Sequence, residues 1–251
     1  MSGIDLRLGA WETALADVGE VGAVISDPPY SKRTHDGSDK GAEIANLATG
    51  TGGRHLSYAH WTTDHVMAFV RAWAPRNRGW FVCFSDHVLN PAYEAAYRDV
   101  GLTPFAPVGV LIPGMTVRQQ GDGPSSWMLY VNVARPKCLS RWGTLPGGYT
   151  GNSGERVHIG GKPLWLMRAL VRDYSKAGDL VVDPCAGAAT TLIAAAENHR
   201  RAVGAEVDPE TFALARERIK KGFTPSLFSD KPRAFEQLGM AALLGGAKES
   251  E

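Results

Sequence analysis

Short apolar runs alternate with amphipathic segments along the C-terminal third of the chain. The apolar runs at 180–183 and 202–206 predict buried strands, and apolar residues at helical spacing predict a helix over 163–176. Asp208 and Pro209 are residue types that favour the N-cap and the first position of a further helix. Strands that alternate with helices in this way indicate an α/β fold, with a mostly parallel sheet and helices on both faces.

The N-terminal half continues the same alternation. Its predicted strands are 21–26, 80–84, 105–112 and 127–133, and the last two are compatible with a hairpin. The remaining predicted helices are 64–73, 92–100 and 190–198. A chain of this length and pattern suits one large domain, or one domain with an inserted lobe.

Two stretches lack clear periodicity and interrupt the pattern. Residues 31–60 are rich in Gly, Ser and Thr, and residues 136–161 are rich in Gly and Pro. Long irregular segments inside a compact domain are usually functional or mobile, so 31–60 is predicted to be a mobile loop. The tail 224–251 is weakly patterned, and 234–244 could form a short amphipathic helix that packs or dimerises.

Composition narrows the classes of protein that remain. The 251 residues are 44% hydrophobic and 21% charged with a net charge of +1, an ordinary globular composition with no bulk electrostatic sign of nucleic-acid binding. No apolar run approaches the roughly 18 residues of a membrane span, and the N-terminus lacks a signal-peptide pattern, so we expect a cytoplasmic protein. The three cysteines and seven histidines lack the spacing of a disulfide framework or a metal site, so no metal is expected.

The tetrapeptide Asp27-Pro28-Pro29-Tyr30 directly follows a predicted parallel strand, where ligands bind in open α/β sheets. An amino group on adenine or cytosine is a poor nucleophile because its lone pair is delocalised into the ring. The Asp27 carboxylate and the Pro28 carbonyl, held by a stiff backbone, could accept hydrogen bonds from both N–H groups and so localise that lone pair. Tyr30 could stack on a base flipped out of the duplex. For the tetrapeptide alone, a rigid turn is an equally good interpretation.

A second constellation begins at Asp183, at the end of another predicted strand. The small-residue loop 184–189 leads from there into a helix, which is the layout of a nucleoside-cofactor loop. Glu206 ends the following strand and could accept hydrogen bonds from both hydroxyls of a ribose. This half of the chain would also suit a dinucleotide enzyme, and its simplest interpretation is a glycine-containing turn between strand and helix.

Several further motifs stand in order around these two constellations. They are His158, Lys162-Pro163-Leu164, Thr190-Thr191, Arg201 with Gly204-x-Glu206, and Ala215-x-x-Arg218-Ile219. With them, the chain resembles the β class of DNA amino-methyltransferases, in which the catalytic motif precedes the cofactor loop. It departs from that pattern at Cys185, where the family usually has Phe, and at Ala188-Ala189, where it usually has Ser-Gly. Ala10 stands where the family often has an Asp that contacts the cofactor's adenine.

The resemblance implies a Rossmann-like fold of S-adenosylmethionine-dependent methyltransferases with a circularly permuted motif order. It implies S-adenosyl-L-methionine as cofactor, DNA as partner and adenine N6 as target; cytosine N4 is the alternative, since members with that target more often carry Ser in place of Asp27. The implied catalytic residues are Asp27, Pro28, Pro29 and Tyr30. The implied cofactor-binding residues are Trp11, Lys162, Pro163, Asp183, Cys185, Ala186, Gly187, Ala188, Thr190, Thr191, Glu206 and Val207. The implied DNA contacts are Ser31, Lys32, Arg33, His35, Arg141 and Trp142.

The resemblance, which is to bacterial and phage proteins, also divides the chain into four parts. They are a catalytic half at 1–135 that includes the loop 31–60, a short target-recognition segment at 136–161, a cofactor-binding half at 162–223 and the tail 224–251. So short a recognition segment suggests a short site or help from a second subunit in a homodimer. Two alternatives stay open: a DNA-binding relative that has lost its cofactor, and an RNA or protein N-methyltransferase.

Overall fold

The computed structural model describes residues 3–36, 59–114, 124–137, 143–153 and 161–223, which form one mixed sheet covered by helices. The nine strands of this described part are β1 Ile4–Leu8, β2 Val21–Ser26, β3 Asn77–Ser85, β4 Leu102–Pro104, β5 Val108–Leu111, β6 Met128–Pro136, β7 Gly148–Thr150, β8 Leu180–Asp183 and β9 Arg201–Glu206. The helices are α1 Trp11–Ala14, α2 Thr63–Trp73, α3 Asn90–Asp99, α4 Leu164–Tyr174, α5 Thr190–Glu197 and α6 Pro209–Lys220. Residues 32–36 add a short helical segment.

The central strands are parallel and do not follow chain order. Along the sheet they run β1–β9–β8–β2–β3, so strands from the C-terminal third lie between the first two strands of the chain. β6 continues the sheet antiparallel to β3, and β5 and β6 form the antiparallel pair that the sequence predicts. β4 also pairs with β6, and β7 lies parallel to β5. The sheet is therefore mostly parallel, as predicted, with one antiparallel side.

Each face of the sheet is covered by helices that turn their apolar stripes toward it. On one face α2 and α3 bury Phe69 and Tyr97, and on the other α4 and α5 bury Leu170 and Leu192. Complete burial of a side chain of this size contributes about 1.5–3 kcal/mol relative to exposure. Within α2, α3 and α4 the buried residues recur at helical spacing, which is why the apolar pattern predicts these helices, whereas α5 is buried along almost its whole length.

The predicted helices and strands are confirmed, with ends displaced by a few residues. The start of the last helix is confirmed in detail at α6. The Asp208 carboxylate accepts hydrogen bonds from the backbone N–H groups of Glu210 at 2.7 Å and Thr211 at 3.0 Å, and Pro209 occupies the first turn. Asp208 is therefore the N-cap, as its position in the sequence indicates.

The short edge elements are absent from the sequence prediction. β1 has no fully buried residue and alternates Ile, Asp, Leu, Arg and Leu, so it lacks the continuous apolar run of the central strands. The prediction of a loop is wrong at 32–36, which are helical, and the irregular segment 136–161 contains β7. Residues 37–58, which make up most of the predicted mobile loop, and the tail helix predicted at 234–244 lie outside the described residues.

Within the described ranges, no helix is long and apolar enough to cross a membrane. The same ranges hold no group of three or more His, Cys, Asp or Glu side chains placed to bind a metal ion.

Candidate active site

The carboxyl ends of three neighbouring parallel strands converge on one cavity. Asp27 directly follows β2, Asp183 ends β8 and Glu206 ends β9. Because neighbouring parallel strands end at the same edge of a sheet, the three carboxylates line a common cavity of about 300 Å³. The two constellations that the sequence places 156 residues apart, at Asp27 and Asp183, therefore belong to one site.

Both carboxylate oxygens of Asp27 have partners. The Tyr30 hydroxyl donates to Oδ1 at 3.0 Å, and the Lys162 ammonium forms an ion pair with Oδ2. The ammonium also lies 5.1 Å from the ring centroids of Tyr30 and Phe84, within the range of cation–π attraction. The Lys162 side chain is only 10% exposed, so the pair is largely shielded from solvent. Residues 27–30, the DPPY segment, are thus held by Lys162, which lies two residues before the start of α4.

Asp183 lies beneath the cavity and is 1% exposed. It accepts hydrogen bonds from the Ser26 hydroxyl at 2.7 Å and the Cys185 backbone N–H at 3.1 Å. Because Ser26 precedes Asp27, this bond joins the strand of the DPPY segment to the strand of the small-residue loop. Burial raises the pKa of Asp183 to about 6, although hydrogen bonds from Thr191, Ser26 and Cys185 oppose the change.

Glu206 organises the backbone on the other side of the cavity. Its Oε2 accepts from the Gly187 N–H and its Oε1 from the Asp208 N–H, each at 2.8 Å. Burial raises the pKa of Glu206 above its ordinary value. Gly187 has φ +52°, a left-handed conformation that favours glycine. A carboxylate has about four acceptor sites, so Glu206 can accept further donors from a ligand in the cavity.

The loop between β8 and α5 makes its turn with alanine, where the family that the sequence resembles usually has glycine. Ala189 is the N-cap of α5 and has φ +62°, in the left-handed region. This conformation costs an L-residue about 1–2 kcal/mol. The Arg218 guanidinium donates to the Ala188 carbonyl and, at 3.1 Å, to the Thr190 hydroxyl, which connects α6 to the loop. Ala189 therefore holds a strained backbone conformation at the start of α5.

Asp86, just beyond β3, holds the segment that follows the DPPY segment. It accepts hydrogen bonds from the Ser31 N–H and hydroxyl, the Thr34 hydroxyl, and the Val88 and Leu89 N–H groups. Burial alone would raise the pKa of Asp86, but these hydrogen bonds, led by those from Ser31 and Thr34, outweigh it and lower the pKa. The helical segment 32–36 is thereby anchored beside the cavity.

The predicted DNA contacts fall into three groups. Lys32 and Arg33 are exposed on the helical segment. Ser31 and His35 are buried, so their side chains offer little surface to a duplex in this structure, and their contact with DNA stays a prediction. Arg141 and Trp142 lie outside the described residues.

Most of the predicted catalytic and cofactor residues line the cavity. They are Trp11, Asp27, Pro29, Lys162, Asp183, Cys185, Ala186, Gly187, Ala188, Thr190, Thr191, Glu206 and Val207. Pro28, Tyr30 and Pro163 are not among the lining residues, and Pro163 is instead the N-cap of α4.

One wall of the cavity is absent from the sequence prediction. It consists of residues 59–61 with His65, and it adjoins residues 9–10 at the end of β1, where the resemblance already places Ala10 near the cofactor's adenine. The Trp61 N–H donates to the Tyr30 carbonyl at 2.9 Å, and the Trp61 ring stacks on His65 at 6.2 Å between centroids. In the structure Thr62 and His65 form a capping box at the start of α2 beside this wall, but Thr-x-x-His lacks the Glu or Gln that marks a capping box in a sequence, so the sequence offered no signal for it.

Part of the chain matches known DNA methylases in sequence. Residues 116–217 match the N6/N4 DNA methylase family. Over 62 residues the chain is 39% identical to the Type II methyltransferase M.HindIII of Haemophilus influenzae, a match that covers 25% of this chain and 20% of that protein. Over 97 residues it is 28% identical to the Type II methyltransferase M2.DpnII of Streptococcus pneumoniae, covering 36% of each. The matches thus span about a third or less of these relatives.

The whole fold is similar to a solved structure. A putative DNA modification methylase from Thermus thermophilus is 25% identical with a TM-score of 0.60, and the match covers 90% of this chain and 97% of that one. The same Thermus protein, complexed with S-adenosyl-L-methionine, gives a TM-score of 0.63 at 23% identity. The Rossmann-like methyltransferase fold expected from the sequence is confirmed.

Proposed function

We propose that this chain, which is related to the DNA amino-methyltransferases, transfers a methyl group from S-adenosyl-L-methionine to an exocyclic amino group of a base in DNA. One observation carries the proposal: Asp27 shares a cavity with Asp183 and Glu206. Methyl transfer requires two ligands held within reach of each other. An acceptor for an amino group on one strand, beside a nucleoside-binding loop on the next strands, suits that requirement.

The lining residues suit S-adenosyl-L-methionine better than a dinucleotide. Four carboxylates, from Asp27, Asp183, Glu206 and Asp208, line the cavity, and among its described lining residues only Lys162 is a Lys or Arg. This excess of negative charge would attract a sulfonium cation and repel a diphosphate. Glu206 can accept hydrogen bonds from ribose hydroxyls. A cavity of about 300 Å³ is at the lower end of the range for small-molecule and cofactor sites.

Asp27 prepares the amino group for attack. Tyr30 and Lys162 occupy two of the roughly four acceptor sites of its carboxylate, so an amino N–H can also bind there. The proposal takes the Pro28 carbonyl as the second acceptor, although Pro28 is not among the lining residues, so that the amino nitrogen is drawn toward a tetrahedral shape and its lone pair is freed. When bound, S-adenosyl-L-methionine supplies an electrophilic methyl group on a sulfonium sulfur, which leaves with the bond's electron pair as a neutral thioether. As the new N–C bond forms, the nitrogen loses one proton, which leaves from the N–H held by Asp27 and passes through that carboxylate to solvent.

We take adenine N6 as the target and cytosine N4 as the alternative. The lean toward adenine rests on the Asp at position 27. Lys32 and Arg33, exposed beside the cavity, are proposed phosphate contacts. The recognition role of 136–161 and the assembly of a homodimer remain predictions, the second of which sedimentation of the protein with and without DNA would test.

Parallel incubation of the protein and tritiated S-adenosyl-L-methionine with duplex DNA, RNA and protein tests the proposal. Label in DNA, recovered as N6-methyladenine, is expected. Label in N4-methylcytosine would select the alternative target, and label confined to RNA or protein would refute the proposal. Absence of S-adenosylhomocysteine binding in calorimetry would favour a DNA-binding relative without a cofactor.

Substitution of Asp27 tests its role. Asp27→Ala should lower the rate of transfer at least about a hundredfold, because an acceptor for the amino group is removed, while affinity for S-adenosylhomocysteine stays within a few-fold. Asp99→Ala is the matched control, because Asp99 is an exposed carboxylate paired with Arg71 and lies outside the cavity lining. A rate for Asp27→Ala close to that of the control would contradict the assignment.

A further inference from the structure

Lys162 and Asp27 present a hydrogen-bond donor and an acceptor side by side in the cavity. Both residues line it, and the Lys162 ammonium is in direct contact with Asp27 Oδ2. The rings of Tyr30 and Phe84, each 5.1 Å from the ammonium, fix it on the Asp27 side of the cavity. Glu206, by contrast, is bonded to the Gly187 and Asp208 N–H groups at the nucleoside-binding loop. The Lys162 ammonium is therefore positioned by the catalytic Asp27 carboxylate and not by the nucleoside-binding loop.

This donor–acceptor pair is complementary to one chemical group. Adenine and cytosine both carry an amino group bonded to a carbon that is also bonded to an unprotonated ring nitrogen, N1 in adenine and N3 in cytosine. Their Watson–Crick edges thus present a donor beside an acceptor. If the amino N–H is held by Asp27, the ring nitrogen next to it faces the neighbouring donor, and an ammonium offers three N–H bonds and no acceptor.

We propose that Lys162 is a specificity-determining residue that donates a hydrogen bond to the ring nitrogen beside the target amino group. The inference rests on the proposed function and adds to it a residue that reads the base. Guanine and thymine present a carbonyl beside a ring N–H on the same edge, the reverse pattern. Their carbonyl would face the Asp27 carboxylate, acceptor against acceptor, and their N–H would face the Lys162 ammonium, donor against donor. Neither pair can form a hydrogen bond, so guanine and thymine are rejected.

The test uses base analogues that differ at a single ring atom. The probe is a duplex oligonucleotide that carries the methylation site mapped by modified-base sequencing, with the target adenine replaced by 1-deazaadenine, in which N1 is a C–H. 7-Deazaadenine, which keeps N1, is the control analogue, and 3-deazacytosine is used if the target is cytosine. The measured quantity is the ratio of kcat/KM for the natural base to that for the analogue, in the wild type, Lys162→Met and Lys220→Met. Lys220 is exposed, paired with Glu217 and outside the cavity lining, so Lys220→Met is the matched control.

The wild type and Lys220→Met should prefer adenine to 1-deazaadenine by roughly 10- to 100-fold, the effect of one charged hydrogen bond. Lys162→Met should be slower on both bases, with a preference below about threefold, because methionine fills the same space without a donor. 7-Deazaadenine should show no such preference with any of the three proteins. Affinity for S-adenosylhomocysteine should be nearly unchanged in Lys162→Met.

Two outcomes would overturn the proposal on its own. One is a wild type that methylates adenine and 1-deazaadenine equally well. The other is a Lys162→Met variant that keeps the wild-type preference but loses affinity for S-adenosylhomocysteine, which would make Lys162 a cofactor contact. Circular dichroism and Lys162→Arg, which retains the charge, guard against misfolding of the methionine variant. Failure of the wild type to label any DNA would contradict the proposed function itself.

Discussion

Replacement of Asp183 by Asn should stabilise the protein in a pH-dependent way. The Asp183 carboxyl is 1% exposed, and burial raises its pKa from an ordinary 3.8 to about 6. Above pH 6 the folded protein must therefore hold a buried carboxylate that the unfolded chain would solvate. Asn has nearly the same shape and can still accept hydrogen bonds from Ser26 and Cys185, but it carries no charge.

The size of the effect follows from the pKa. A rise from 3.8 to about 6 lowers the free energy of unfolding of the ionised protein by about 3 kcal/mol. Because the pKa is raised in the folded state, the folded protein binds the proton more tightly. The destabilisation is therefore complete above pH 6 and disappears as the pH falls below 3.8. When the pH falls from 8 to 5, the free energy of unfolding of the wild type should rise by about 1.4 kcal/mol as Asp183 takes up its proton. The Asn variant shows no such rise, because its side chain does not titrate.

Urea unfolding followed by circular dichroism, at pH 8 and pH 5, measures this difference. The free energy of unfolding of Asp183→Asn minus that of the wild type should be about 1.4 kcal/mol more favourable at pH 8 than at pH 5. Any hydrogen bond lost on substitution affects both pH values equally and cancels. Ionisable groups shared by the two proteins cancel as well.

Asp86→Asn is the control, since the pKa of Asp86 is lowered. Stability gained from a lowered pKa is present above the unfolded value of 3.8 and is lost only as the pH falls through the folded value. Its substitution should therefore cost nearly the same at pH 8 and pH 5. If Asp183→Asn shows the same insensitivity to pH, or a change of opposite sign, then burial does not raise the pKa of Asp183 as described.

Three further predictions concern the proposed cofactor loop and the proposed DNA contacts. Glu206→Gln should weaken S-adenosylhomocysteine binding in calorimetry by roughly 10- to 100-fold, because charged hydrogen bonds to a ribose are lost; unchanged affinity would exclude Glu206 as a ligand contact. Lys32→Gln with Arg33→Gln should reduce the slope of log affinity for DNA against log salt by about 2, as expected for two phosphate contacts, whereas an unaltered slope would remove both from the interface. Ala189→Gly should change the free energy of unfolding by less than about 1 kcal/mol, because relief of the left-handed conformation is offset by the greater freedom of glycine in the unfolded chain. A loss of several kcal/mol would mean that the buried methyl group outweighs the strain.

The sequence predicts the central strands and the long helices because their apolar residues follow the period of each element. It does not predict β1, in which polar residues alternate with apolar residues that are not fully buried. Nor does it predict the helical segment 32–36, which depends on hydrogen bonds from Ser31 and Thr34 to the distant Asp86. Local composition at 31–36 resembles a loop, and the tertiary acceptor that fixes it lies more than fifty residues away.

The site shows the same division between local and tertiary information. The sequence identifies Asp27, Asp183 and Glu206 because each stands at the end of an apolar run. It also singles out Lys162, but as a cofactor contact, since nothing in the sequence reveals that its ammonium meets Asp27. That contact depends on the order of strands in the sheet and on where the start of α4 lies relative to β2. The wall at 59–61 depends on the backbone bond between Trp61 and Tyr30, which no pattern of residue types encodes.

The order of strands has a consequence for synthesis of the protein on the ribosome. β8 and β9 lie between β1 and β2, and in the described sheet β1 pairs with β9 alone. The N-terminal half emerges first, so β1 cannot pair until β9, almost two hundred residues downstream, has been synthesised. Pairing between strands so far apart in the chain is slow to form. Lys162 and the loop after Asp183 also emerge more than a hundred residues after Asp27. An unfinished chain therefore carries the DPPY segment without the rest of the cavity lining, and under the proposed function we expect it to transfer no methyl group.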